Sequence, residues 1–403
     1  SIMGVGSQLA LLGVLIAVFV SRWCSRLPSP YDSENLGQTV ELSDKLQRLL
    51  PGNVDGPKLP LELGRLTGKL KAVTRLFEGK IDGSESAVVF PSTNELVMID
   101  KFGFVHMALL KINPDSELGL SATLLEKLPP FYIGPGRPLG MHAIDDGSRT
   151  LIMCDSLKGL LQVSLTNRTI VILSNSVDGV PFSFCNDVDV AVDGTIYFTA
   201  STDGPVALNR DGYYDTMYAT QLHALRANPT GKLLRYDPIT RQTTTLMSNI
   251  FYANGVAISA DGSFLVVAET FGFRILRYQL TGINTGVTTS CISKLPGTPD
   301  GVSLAADGNF WVAIITPASP FYKHVMPYPR VRQMIAHVIS TMAALVIKNW
   351  GYVLKISAET GEVLEILDDI DGDVISSISS VTEHNNYLFF GNLQGDYIGV
   401  LKQ

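Results

Sequence analysis

Four residues of this chain carry oxygen at one register of a repeating pattern. Seven residues upstream of Asp193-Gly194, Asp261-Gly262 and Asp307-Gly308 stand Asn186, Asn254 and Asp300. In an earlier repeat, whose turn is one or two residues further off, the same place falls near Glu85 in GSESAVVF. The set is two carboxylates and two amides, with no sulfur or imidazole. Hard oxygen donors with two negative charges describe a Ca²⁺ site; Zn²⁺ and copper favour nitrogen or sulfur, and Mg²⁺ keeps a tighter, more hydrated octahedron. The competing reading is turn chemistry, since Asn-Gly and Asp-Gly form turns and Asn186-Asp187 can cap a strand through its own backbone. Four oxygen donors at one register favour a metal.

The register belongs to a larger repeat. Asp146-Gly147, Asp193-Gly194, Asp261-Gly262 and Asp307-Gly308 each precede a short apolar run, in RTLIMCDS, TIYFTAS, FLVVAET and FWVAI. Two weaker copies are TNELVMID (93–100) and NNYLFFGN (385–392). Such pairs suit the positive φ angles of tight hairpins. The copies recur every 46–52 residues, apart from two longer gaps that hold residues 203–228 and 316–350. This spacing predicts an all-β, six-bladed β-propeller over 77–403 with two insertions, the second helical and placed before the last blade. The first strand of each blade lines the axial channel, so the register becomes a ring: Glu85, Leu139, Asn186, Asn254, Asp300 and Ile378.

Composition narrows the class. The chain has 403 residues, 46% of them hydrophobic, and a net charge of −7 with no basic stripe, which argues against nucleic acid as a partner. Residues 2–20, IMGVGSQLALLGVLIAVFV, are uncharged and long enough for a single membrane span, so 1–26 reads as a transmembrane anchor and 27–76 as a linker. A cleaved signal peptide is the rival reading. Arg22 and Arg26 follow the span and would hold the bulk of the chain on the cytosolic or matrix side, unless a basic segment precedes it. Cys24, Cys154, Cys185 and Cys291 show no close spacing and read as small buried thiols. One sequon, Asn167-Arg168-Thr169, is usable only in a secretory lumen. Residues 331–347, VRQMIAHVISTMAALVI, follow Pro327 and Pro329 and form a helix that either covers the channel mouth or rests on a membrane surface.

The motifs GRPLG (136–140), SFCNDVDVAVDGTIYFT (183–199), GKLLRYDPITRQ (231–242), NGVAISADGSFLVVAETFGFRILRY (254–278) and LPGTPDG (295–301) resemble the strictosidine synthase-like family and its adipocyte plasma membrane-associated branch. These belong to the wider calcium-dependent phosphotriesterase group with the paraoxonases and gluconolactonases. The resemblance covers roughly residues 60–401. It implies a six-bladed propeller, one N-terminal anchor and an axial Ca²⁺ held by Glu85, Asn186, Asn254 and Asp300. It also implies departures. Ser379 stands where strictosidine synthase has its catalytic Glu, which argues against that condensation. Leu139 replaces the paraoxonase His, Gly301 replaces an Asn after the ligand Asp, and a family Cys pair before GRPLG is missing.

The expected activity is calcium-assisted hydrolysis of an ester, lactone or phosphoester, with Asp300 or Asp187 as the catalytic carboxylate. His142 and Glu269 are weaker candidates for the site. The alternative is a non-catalytic accessory subunit of a membrane complex that keeps Ca²⁺ for stability. Expected partners are the membrane and either a small lipophilic substrate or a membrane-complex protein. The expected location is an endomembrane or the cell surface, with a mitochondrial or other organelle membrane as the alternative.

Overall fold

The computed structural model describes residues 43–48, 66–125, 130–336 and 349–403. The expected anchor at 1–26 and most of the expected linker lie outside the described residues. So does most of the helix expected at 331–347. Among the described residues no helix is long and apolar enough to cross a membrane.

Six antiparallel sheets form the propeller, one per blade: five have four strands, and the first gains a fifth, Phe131–Tyr132, paired with its third strand. Their inner strands are, in chain order, Ala87–Phe90, Pro138–Ile144, Cys185–Val190, Ala253–Ile258, Gly297–Leu304 and Ile378–His384. Blade six takes its outer strand, Thr74–Leu76, from the start of the chain, so the ring of sheets is closed by pairing Thr74 with Val400. That strand lies within the segment read as linker.

Second strands explain the apolar runs of the sequence. Ile196–Ala200, Phe264–Glu269 and Tyr387–Asn392 are buried at every position, because a neighbouring blade packs on each face. Each fully buried Val, Leu, Ile or Phe contributes about 1.5–3 kcal/mol. The Asp-Gly turns behave as their residue types demand. Gly147, Gly194, Gly262 and Gly308 all have positive φ. The carboxylates of Asp146, Asp193, Asp261 and Asp307 each accept the backbone N–H two residues on, at 2.9, 2.9, 3.0 and 3.1 Å.

Side chains staple neighbouring inner strands. Asp187 and Asp189 of blade three accept the N–H groups of Val256 and Ile258 in blade four at 2.9 and 2.8 Å. Ser303 of blade five donates to the Val381 carbonyl at 2.6 Å, and Thr382 of blade six to that of Ala87 at 2.6 Å.

Four short helices are described. Asp44–Arg48 (α1) precedes the propeller, and Thr216–Arg226 (α2) lies in the first insertion, inside blade three. Pro320–Val325 (α3) and Pro329–Ala336 (α4) lie in the second, inside blade five. The two insertions meet: Arg332 of α4 donates to the carbonyls of Leu225 and Arg226, at 2.8 and 3.0 Å, and so caps the end of α2.

The cysteines correct an expectation. Cys154 and Cys185 are joined in a disulfide with Cα atoms 5.0 Å apart, rather than standing as separate thiols. Their 31-residue separation hides that the strands Thr150–Asp155 and Cys185–Val190 pack face to face in adjacent blades. Cys291 is a free thiol, and Cys24 lies outside the described residues.

Candidate metal centre

A regular inner strand alternates its side chains between the two faces of its sheet and could not aim them into the channel. Bulges supply the aim. The pairing register slips around Asn186-Asp187, Asn254-Gly255, Asp300-Gly301 and Leu139-Gly140, always where the ring residue sits. An extra residue in one strand kinks it and redirects a side chain. Two residues before the ring, Gly83, Phe184, Tyr252 and Ser377 all take positive φ, between 54° and 71°. For the three that are not glycine this conformation costs about 1–2 kcal/mol each, a strain that such sites tolerate.

Glu85, Asn186, Asn254 and Asp300 are each 5% exposed or less. Each also has one buried oxygen without a hydrogen-bond partner: Glu85 Oε2, Asn186 Oδ1, Asn254 Oδ1 and Asp300 Oδ2. The Asn254 amide is fixed from behind, since its Nδ2 donates to Thr270 Oγ1 at 3.2 Å and Thr270 donates to the Pro299 carbonyl at 2.8 Å. Burial pushes the Asp300 carboxyl up to about 8; a hydrogen bond with Asn254 opposes this and the Asp187 charge adds to it. Burial likewise pushes Glu85 well above the carboxylate range, reinforced by Asp300 and Asp187 and opposed by Arg137. Four orphaned hard oxygens, two of them on carboxyls that burial raises, suit the oxygen-donor chemistry of Ca²⁺. Among the described residues no group of three or more His, Cys, Asp or Glu side chains is placed to hold a metal.

The sixth ring position differs from expectation. Ile378 is buried in the apolar core between blades five and six, and Ser379 faces the channel instead. Its hydroxyl donates to the Glu85 carbonyl at 2.6 Å. The slip in the last blade lies between Ile378 and Ser380, which moves the register by one. Leu139 completes the ring as an apolar member, 3% exposed.

Gly301 stands where the resemblance expects a polar side chain. A Cβ there would lie 2.4 Å from the Ser379 carbonyl oxygen, so nothing larger than glycine fits. A Cβ at Gly140 would strike Asp187 Oδ1.

Asp187 is half-buried on the channel wall. Its Oδ1 accepts the Val188 N–H and its Oδ2 that of Val256, both at 2.9 Å, while burial pushes its carboxyl up to about 7. His142 lines the channel further on, with Nδ1 2.8 Å from Asp189 Oδ1. Glu269 is a strand-end latch: it accepts the Phe251 N–H at 2.8 Å and pairs with Arg274. Sequence reasoning missed Arg137, a buried guanidinium two residues before Leu139 whose Nη1 has no partner and whose charge acts on Glu85. Its place in GRPLG, immediately before a ring strand, was the available signal.

The two ends of the channel are unlike. At the ring end Leu139, Phe184, Phe251, Tyr252 and Phe271 pack with Leu222 and Leu225 of α2 and Met326 near α3. The Tyr252 hydroxyl bonds Thr220 of α2. From the ring to the Asp-Gly turns runs an open cavity of about 1020 Å³. Its wall carries Glu85, Asp145, Asp187, Asp189, Asp193, Asp261 and Glu383 against Arg235 and His142. A predominantly acidic wall favours cations in the cavity.

A sequence profile described as strictosidine synthase matches residues 186–283, the stretch that holds Asn186, Asp187 and Asn254. The mouse adipocyte plasma membrane-associated protein is 30% identical over 349 residues, 82% of this chain and 78% of that one. The chain belongs to the strictosidine synthase-like family. The Arabidopsis thaliana strictosidine synthase-like protein 3 is 30% identical over 269 residues, 66% of each chain. Among solved structures, a gluconolactonase from Xanthomonas campestris superposes with a TM-score of 0.54 at 17% identity, covering 88% of this chain and 96% of that one. At that identity the match shows a shared propeller fold. Within this strictosidine synthase-like chain, Ser379 and Leu139 occupy the two ring positions without a charged or amide group.

Proposed function

We propose that the ring binds Ca²⁺ through Glu85, Asn186, Asn254 and Asp300, and that the protein is a membrane-anchored hydrolase of a small lipophilic ester, lactone or phosphoester. The four orphaned oxygens carry this reading, because they stand together at the ring register, and buried acceptors without a protein partner call for an ion or water. When bound, the ion supplies Lewis acidity toward a carbonyl or phosphoryl oxygen. The chain supplies the rest. Asn254 and Asn186 present carbonyl oxygens without adding charge, and the aromatic cap excludes water from the ring end. Asp187, at about 7, is matched to accept and return a proton near neutrality. It would do so at Oδ1, which carries only the N–H of its own neighbour, whereas Oδ2 ties two blades together. Asp300 is the alternative carboxylate, although an ion would hold it as a ligand and weaken it as a base.

The test is turnover of ester and lactone substrates by the purified protein with and without EGTA. Calcium-dependent turnover that disappears in Asn254→Ala and Asp300→Ala is expected. Turnover unaffected by EGTA and by both substitutions would rule out the metal-assisted reaction.

The second reading, a calcium-stabilised accessory subunit, is favoured by Leu139 and Ser379, which leave two ring positions without an acid or base. It predicts no turnover and a calcium effect on stability alone. Both readings place the chain at a membrane. Tyr328, Val331 and Met334, exposed at three-residue intervals on and beside α4, present an apolar ridge for such a surface. The mouse relative is named as plasma membrane-associated, which supports an endomembrane or cell-surface location.

A further inference from the structure

Asn167-Arg168-Thr169 is the one Asn-X-Ser/Thr triplet in the chain without proline at its centre; Asn228-Pro-Thr230 is disqualified. The triplet falls in the turn between the third and outer strands of blade two, Gly159–Ser164 and Thr169–Ser174. Asn167 is exposed there, and only its backbone N–H is engaged, by Ser164 Oγ at 3.2 Å. Arg168, at the centre of the triplet, takes the left-handed turn conformation with a φ of 55°.

The turn's place in the molecule is the second observation. Thr166 Oγ1 and Leu165 N–H reach the carbonyls of Ser148 and Arg149, beside the Asp146-Gly147 turn. Asn167 therefore stands at the Asp-Gly end of the propeller. The chain enters at the opposite end: Thr67 is fastened to Asp368, and Leu46 of α1 packs into the cap. A bulky group on Asn167 thus projects away from the side where a membrane would lie. It would also overlie the outer strand of blade two, where Ile170, Val171 and Ile172 are 37%, 51% and 51% exposed. An unpaired apolar strand edge is a liability that proteins usually cover.

The third observation is independent of the triplet. The Cys154–Cys185 disulfide joins blades two and three in the interior. Such bonds form in oxidising compartments, which are also where oligosaccharide is transferred.

We propose that Asn167 is an N-glycosylation site and that the propeller faces an oxidising lumen or the cell exterior. In the transfer, Asn167 Nδ2 forms a C–N bond to the anomeric carbon of a lipid-pyrophosphate-linked oligosaccharide. The anomeric C–O bond breaks, the lipid pyrophosphate leaves, and the amide gives up one proton to the transferase. This places the bulk of the chain opposite to where Arg22 and Arg26 alone would put it.

The experiment is synthesis of the full chain in the presence of endoplasmic-reticulum microsomes, followed by PNGase F and denaturing electrophoresis. One discrete mobility step is expected. PNGase F should remove it, Asn167→Gln and Thr169→Ala should lack it, and Thr169→Ser should keep it. The readout is denaturing and transfer acts on the nascent chain, so a folding defect does not obscure it. Asp146→Asn, which creates an acceptor triplet with Gly147 and Ser148 on the adjacent turn, separates two ways of failing. A step in that variant without one in the native chain would overturn the assignment to Asn167. No step in either would overturn the lumenal orientation as well.

Discussion

Asp300 and Asp307 lie on one inner strand and its turn, seven residues apart, yet their surroundings push them in opposite directions. Burial lifts Asp300 to about 8, whereas Lys355 and Asn309 hold Asp307 below the usual carboxylate range. The blade before repeats the contrast: Asn254 keeps an orphaned Oδ1, while Asp261, seven residues on, is held at about 2 by the N–H of Ser263 and the hydroxyls of Ser259 and Ser263. At the Asp-Gly end each carboxylate is satisfied by its own turn, and Asp307 also by Lys355. At the ring end Glu85, Asn186, Asn254 and Asp300 each keep a buried oxygen without a protein partner. One repeating sequence unit thus makes a satisfied turn and a set of unsatisfied oxygens from the same kinds of residue.

Removing the ion is the strongest way to break this contrast. A ligand present at 100–1,000 times its Kd stabilises a protein by about 2.7–4.1 kcal/mol. EGTA should therefore lower the melting temperature by several degrees, and added Ca²⁺ should restore it. Asp300→Ala and Asn254→Ala should abolish the calcium response. An Asp307→Ala variant should keep it in full, since that carboxylate is bonded to its own turn and to Lys355 at the Asp-Gly end. A calcium-insensitive melting temperature in the native protein would remove the metal from the ring.

The pH dependence sharpens the comparison and is expected to be smaller, because the amide oxygens do not titrate. Without Ca²⁺, Asp300 at about 8 and Asp187 at about 7 keep protons that the unfolded chain has already lost, so stability falls as pH rises through those values. His223, buried beside Thr202 and lowered to about 3, acts the other way: it costs stability as pH falls below about 6.5. Measurement between about pH 7 and 8.5 therefore isolates the carboxylates. The metal-free protein should lose melting temperature across that window and the calcium-loaded protein should not. Parallel slopes with and without calcium would show that the ring carboxylates are not its ligands.

Much of the ring was legible because the Asp-Gly turns fix a register and the channel-facing residue sits a constant distance upstream. Asn186, Asn254 and Asp300 follow from that step. Ile378 does not, because the last repeat turns on Asn385-Asn386 and its bulge is placed differently, which brings Ser379 to the channel. Asp187 and Asp189 were legible as acidic residues but not as staples, since the backbone they bind lies 69 residues further along the chain. The disulfide was hidden for the same reason: nothing in the spacing of Cys154 and Cys185 shows that their blades pack together. The insertions were legible by length. Their meeting through Arg332 was not, because it joins blade three to blade five.

The gentlest comparison places the same substitution at both ends. Gly262 has a φ of 68°, and nothing lies within 4 Å of the point where a Cβ would stand. Gly262→Ala therefore meets only the cost of a left-handed backbone, about 1–2 kcal/mol. Gly301 has ordinary φ, but a Cβ would press on the Ser379 carbonyl 2.4 Å away. Gly301→Ala is therefore a packing error, costing about 1–3 kcal/mol, and it falls beside Asp300. In calcium-free buffer the two variants should lose similar stability. On adding Ca²⁺, Gly262→Ala should recover the full native increment, while Gly301→Ala should recover much less because its ring is displaced. Equal recovery would mean that the strand after Asp300 can move without disturbing the ligands, and that the tight contact at Gly301 serves the packing of blades five and six alone.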